Sequence, residues 1–229
     1  MHYNDVIVKH ELPAAATNFV IATLRTSYIY SLPKIHKPNN PGRLIVSACS
    51  CPTELISSYL DKIVATIVRS LPSYAKDSQR ALQVFFVFNF LSEDKLIPTM
   101  DITSFYTFIP NGEILLALNI VFDLRTVNEP SSKTLLRLAE VVLTLNCFSF
   151  ADNCYKQING VAMDTGTKMG PSYANLFVGF IEHQFFSQYN GLKSELYHRY
   201  IADCIGATSS TREDLNQFIT VNSLHPTLK

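Results

Sequence analysis

The chain has 229 residues, 47% of them apolar, which is enough to bury a sizeable core in one domain or two subdomains. Lys and Arg total 19, as do Asp and Glu, so the net charge is zero and the uniformly basic surface of a general nucleic-acid coat is excluded. No apolar run approaches membrane-spanning length and no N-terminal signal pattern is visible, so the sequence reads as soluble and intracellular with no membrane partner. The five cysteines (Cys49, Cys51, Cys147, Cys154, Cys204) are odd in number and lack the paired knuckles of a zinc site; reduced, buried thiols are expected.

In chain order, residues 1–27 form an unassigned lead-in, with 14–24 open to either helix or irregular structure. Residues 32–47 read as a basic loop rich in turn signals (three prolines and one glycine) that carries Lys34, Lys37 and Arg43 and runs into a short strand at 44–47. Ile56, Tyr59, Leu60, Ile63, Val64, Ile67, Val68 and Leu71 recur at helical spacing after the start signal Pro52-Thr53. A second, very apolar helix is expected at 77–91, followed by a strand carrying Asp101. Helices are expected at 112–124 and 131–145, then paired strands at 147–150 and 155–158 joined through 151–153. A glycine-rich loop at 160–170 leads into a helix with a buried stripe of Ala174, Phe177, Val178, Ile181 and Phe185. A hairpin around Tyr200 and a last helix near 212–224 complete the order. Helices outnumber short strands, which fits an α+β palm: a short antiparallel sheet backed by helices on one face.

Two places in this order carry chemistry. Asp101 emerges from an apolar strand, and Asp203 sits in a tight turn, Tyr200-Ile201-Ala202-Asp203, between β-prone residues. An Asp at a strand end meeting an Asp on a hairpin turn is the arrangement of a two-metal site for phosphoryl or nucleotidyl transfer, because hard divalent cations need converging oxygen ligands. Convergence puts the two Cα atoms within about 10 Å of each other, and such a pair repels unless a cation is present. Taken alone, Asp101 reads equally well as a cap or turn residue.

Four motifs in order extend the reading. Asp101 with Tyr106 and Pro110 is similar to the first palm motif of reverse transcriptases, and Tyr200-Ile201-Ala202-Asp203 resembles their Tyr-x-Asp-Asp turn. Gly166-Thr167-Lys168-Met169-Gly170-Pro171-Ser172 resembles the loop that holds the templating base and incoming nucleotide. Leu32-Pro33-Lys34-Ile35-His36-Lys37-Pro38, with Arg43-Leu44-Ile45-Val46-Ser47, is similar to the finger segment of the Penelope-like retroelements. The same holds for Thr103-Ser104-Phe105-Tyr106 and for Pro171-Ser172-Tyr173-Ala174-Asn175-Leu176-Phe177. The resemblance covers about residues 28–229. It implies a right-hand polymerase fold, with fingers over 28–95 and a palm over 96–229 whose motif regions are 99–110, 160–177 and 196–208.

The resemblance also implies roles: an RNA-directed DNA polymerase working on an RNA or DNA template-primer and deoxynucleotides, with Mg²⁺ or Mn²⁺, and a nuclear location. Asp101, the Ile102 carbonyl and Asp203 are then metal ligands, with Asp101 and Asp203 the catalytic carboxylates. Arg43 clamps the triphosphate, Tyr106 is the steric gate against a 2′-hydroxyl, and Gly166 and Lys168 bind the nucleotide. Lys34, Lys37 and Tyr200 contact nucleic acid.

Departures from the family pattern point to a decayed or truncated copy. Ala202 stands where the turn carries its first Asp, and a methyl group ligates no cation. Asp164-Thr165 reads as a two-residue insertion in the nucleotide loop, Leu44 replaces a proline, and the sequence stops at Lys229 before any thumb. Weakened metal binding and an impaired or inactive enzyme are the expectation. The alternatives are a non-catalytic nucleic-acid-binding module and an expressed relic without function.

Overall fold

The computed structural model describes residues 23–35, 38–90, 96–103, 105–106, 109–158, 160, 169–188 and 195–222. Its elements run β1 (Ser27–Pro33), β2 (Gly42–Ser47), α1 (Glu54–Val68), α2 (Ser78–Val87), β3 (Thr99–Asp101), α3 (Asn111–Asp123) and α4 (Ser132–Thr144). They continue with β4 (Cys147–Phe150), β5 (Asn153–Lys156), α5 (Met169–Gln188), β6 (Leu196–Tyr200), β7 (Asp203–Ala207) and α6 (Arg212–Asn222). This α+β order agrees with the sequence reading, with two differences in the strands.

One sheet was expected and two are present. The first has the order β2-β1-β4-β5, with β1 and β4 parallel; the second, β3-β7-β6, is wholly antiparallel. Strand β1 is the element that sequence reasoning missed: most of it precedes the 32–47 loop, in a stretch with no predicted element, and only its last two residues fall in the proline-rich loop. Pro33 closes the strand opposite Gly42, and the Lys34 amide reaches the Pro41 carbonyl at 2.9 Å, so the prolines bracket the hairpin rather than break it. At Gly42 an added Cβ would meet the Ser31 hydroxyl, so a larger residue there needs that side chain to rotate away. The β4–β5 hairpin turns tightly at Ala151 and Asp152, both at positive φ (46° and 62°), which starts β5 two residues earlier than expected.

Helix capping explains the starts of two helices. The Asp77 side chain accepts from the Arg80 amide at 2.7 Å and the Ser131 hydroxyl from the Thr134 amide at 3.2 Å, so each satisfies an otherwise orphaned N–H. The core lies between helices. Ile56, Leu60, Val64 and Val68 of α1 pack with Ile114, Leu118 and Phe122 of α3, Leu135, Leu138 and Val142 of α4, and Tyr173 and Phe177 of α5. Each such side chain stabilises the fold by about 1.5–3 kcal/mol relative to an exposed one. Helix α5 is the axis of this packing: all residues from Tyr173 to Gly179 are buried, so its middle is enclosed all round rather than on one stripe.

One expectation about burial is corrected, and one apolar helix packs less than its composition suggests. Helix α2 ends at Val87 and buries none of its residues; Leu82, Phe86 and Val87 stand exposed although the segment is strongly apolar. Apolar content alone does not decide burial, because α2 lies outside the α1–α3–α4–α5 core. Of the five free cysteines, Cys51 and Cys204 are buried while Cys49, Cys147 and Cys154 are exposed, the last two on the edge hairpin β4–β5. Burial pushes the Cys204 thiol up to about 11. No described helix is long and apolar enough to cross a membrane.

Candidate active site

The sheet β3-β7-β6 brings the two expected carboxylates together. Asp101, the last residue of β3, is the register partner of Asp203, the first residue of β7, and Asp203 is in turn the partner of Tyr200. Direct antiparallel partners have Cα atoms about 4.5–5.5 Å apart and point to the same face. Asp101, Asp203 and Tyr200 therefore form one row on one face of the sheet. Both carboxylates are exposed, and neither has an ion-pair or hydrogen-bond partner among the described residues. At roughly 5 Å their mutual repulsion is about 1–3 kcal/mol between fully aqueous and surface screening.

The turn that presents Asp203 has two central residues, Ile201 and Ala202. Ile201 has φ 56°, a left-handed value uncommon for a β-branched residue and typical of the first central position of the primed hairpin turns. The Ala202 carbonyl accepts from the Ile102 amide at 3.0 Å, tying the turn to the residue after Asp101. The Ala202 side chain is half-buried, and with Ile102 and Ile201 it packs against the helical core.

A cavity of about 770 Å³ opens beside the row. Asp101, Asp203 and Tyr200 line it together with Thr99, Met100 and Ile205 of the sheet and Ala81, Leu82 and Phe85 of α2. Tyr106 lies close by without lining it: burial raises its phenol above the ordinary value, and the nearby Tyr200 hydroxyl adds to the rise. Arg43 and Lys34 are placed elsewhere. Arg43 is exposed on β2 opposite Leu32, Lys34 follows β1, and neither lines this cavity. Lys37, Gly166, Lys168 and the insertion Asp164-Thr165 lie outside the described residues.

The donor set is incomplete for a closed metal cage: no cluster of three or more His, Cys, Asp and Glu occurs among the described residues. What is present fits a divalent cation in part. Two hard oxygen donors, unpaired among the described residues, stand side by side at a solvent-accessible rim, and the turn position just before Asp203 carries only a methyl group.

Sequence reasoning missed the polar network beneath the turn. Strand alternation sends Arg199 to the face opposite Tyr200, where its Nε meets Glu182 Oε1 of α5 at 2.7 Å. Glu182 also accepts from the Ser73 hydroxyl at 2.5 Å and the Tyr197 hydroxyl at 2.8 Å. The available signal was an Arg two positions after Tyr197, on the same strand face, with a lone Glu in the helix before it. Burial and the Glu182 carboxylate together drive the Tyr197 phenol far above its ordinary value, so it stays protonated and donates.

This architecture, helices backing a short antiparallel sheet with a carboxylate turn at its rim, is a polymerase palm/fingers-like fold. The solved structures it resembles include apo telomerase from Candida tropicalis, with a TM-score of 0.67 and 10% identity over 88% of this chain and 41% of that one. Telomerase from Candida albicans in complex with the TWJ fragment of telomeric RNA gives 0.62 at 12% identity, over 96% of this chain and 43% of that one. The Sicinivirus 3Dpol RNA-dependent RNA polymerase gives 0.56 at 12% identity, over 98% and 47%. The chain thus spans less than half the length of each of these proteins. No family model and no curated protein sequence matches it.

Proposed function

We propose that the chain is the fingers–palm part of a reverse transcriptase from a Penelope-like retroelement, impaired as it stands. The observation that carries this reading is the direct register of Asp101 with Asp203 at the rim of the β3-β7-β6 sheet, within a fold similar to telomerase. The substrates would be a template-primer and deoxynucleotides. Mg²⁺ or Mn²⁺ would be held by Asp101, Asp203 and the Ile102 carbonyl, where it supplies charge stabilisation at the transferred phosphoryl group. Tyr106, beside Tyr200, would exclude the 2′-hydroxyl. Arg43, with Gly166 and Lys168 of the nucleotide loop, would meet the incoming nucleotide, while Lys34, Lys37 and Tyr200 contact nucleic acid. Residues 28–95 would serve as fingers and 96–229 as palm.

Impairment follows from Ala202. The turn offers one carboxylate where the family offers two, and losing one member of a cooperating catalytic set costs on the order of 10⁴-fold in rate.

The test is repair of the turn. Ala202→Asp adds a carboxylate between Ile201 and Asp203, so Mn²⁺ should raise the melting temperature of the variant more than that of the parent. Without metal the variant should be less stable by about 1–4 kcal/mol, since a like charge joins two others next to apolar neighbours. Equal responses of both proteins to millimolar Mn²⁺ would remove the metal reading of this turn.

A further inference from the structure

Arg199 is only 1% exposed, although a guanidinium is among the costliest groups to bury. Its donors are spent on two pieces of the fold, helix α5 and the 200–203 turn. Besides the bond from Nε to Glu182, Nη1 donates to Asn175 Oδ1 at 2.6 Å and to the Ile201 carbonyl at 3.1 Å, and Nη2 donates to the Asn175 carbonyl at 3.1 Å. Asn175 Nδ2 in turn donates to the Pro171 carbonyl at 2.9 Å, in the first turn of α5. The hydrogen bonds thus run without a break from the start of α5 through Arg199 to the turn.

The Ile201 carbonyl is the informative acceptor. Ile201 is held at φ 56°, a conformation that a β-branched residue keeps only where its surroundings over-determine it. Arg199 fixes this carbonyl from beneath, and the Ile102 amide fixes the next one, that of Ala202, from the side. Together they set where Asp203 begins its strand and hence how it faces Asp101.

We propose that Arg199 is the positioning residue of the carboxylate turn, locking it to the first turns of α5. The inference rests on the reading of Asp101 and Asp203 as metal-facing carboxylates. The planar fork is essential to this role, because it serves Glu182, Asn175 and Ile201 at once. A lysine keeps the charge next to Glu182 but offers a single point donor.

Amide hydrogen exchange on the full chain without metal tests the role. The Ile102 amide, bonded to the Ala202 carbonyl, is the reporter of turn position. In Arg199→Lys it should exchange at least tenfold faster than in the parent, while core amides of Leu118 and Leu138 stay within twofold. Asn175→Ala keeps the Arg199–Glu182 pair but frees Nη1 from its Oδ1 partner, so it should show a smaller rise, at least threefold, confined to the Ile102 amide; it decides the matter if Arg199→Lys does not fold. An unchanged Ile102 rate, or an equal rise at all amides, overturns the proposal, the latter because it means lost global stability alone. A second arm measures Mn²⁺ affinity in Ala202→Asp, with and without Asn175→Ala. A fivefold or greater weakening is expected, and unchanged affinity overturns the positioning role. If Ala202→Asp itself gains no Mn²⁺ binding, the metal reading fails, and the exchange arm still decides the role of Arg199.

Discussion

Asp101 and Asp203 stand directly opposite each other across β3 and β7, exposed and without an ion-pair partner among the described residues. Two like charges held in register destabilise the metal-free fold. Asp203→Asn should therefore raise its stability by about 1 kcal/mol, read as a higher urea midpoint. The same variant should lose the stabilisation that millimolar Mn²⁺ gives the parent. A parent midpoint that ignores Mn²⁺, or a variant that still responds, would break the link between this pair and cation binding.

With Ala202 in the turn, primer extension on an RNA template should stay at background in Mg²⁺ and in Mn²⁺. A gel assay with Asp101→Ala as the blank measures it. Template-dependent extension that disappears in the blank would mean that one turn carboxylate is enough.

The buried Arg199–Glu182 pair predicts a stability pattern. Glu182→Leu leaves a guanidinium without its counter-charge and should cost about 3–5 kcal/mol. Arg199→Met combined with Glu182→Leu should recover much of that loss, since an apolar pair of similar volume no longer has a charge to desolvate. Chemical denaturation of the three proteins gives the comparison. A double variant as unstable as Glu182→Leu alone would show that Ser73, Tyr197 and Asn175 depend on the ion pair for their own satisfaction.

His198 faces Arg80 of α2 and the backbone of Ser73. Burial lowers its pKa first, the hydrogen bond to Ser73 opposes the shift, and the Arg80 charge lowers it further. Because the folded value is depressed, the unfolded chain binds the proton more readily, so stability falls as pH drops below the ordinary imidazole value of about 6.5. His198→Gln should flatten the melting temperature between pH 7 and 5 relative to the parent. An identical slope in the two proteins would assign the acid sensitivity to other groups.

Much of this fold was written locally. The apolar spacing of Ile56, Leu60, Val64 and Val68, the caps Asp77 and Ser131, and the turn at 200–203 each encode their element within a few residues. The spacing of the motifs also made the convergence of Asp101 and Asp203 legible, because a strand end and a tight hairpin leave few ways to present two carboxylates. Three things were decided only by tertiary structure. Strand β1 has partners on both sides, β2 and the distant β4, and the second of these is a contact that local sequence does not encode. Helix α2 is largely apolar yet buries none of its residues fully, since burial depends on which surfaces remain after α1, α3 and α4 have enclosed α5. Arg199 reads in sequence as one more surface charge. Only strand alternation, combined with α5 passing beneath the sheet, turns it inward onto Glu182 and Asn175, where long-range contacts make its burial tolerable.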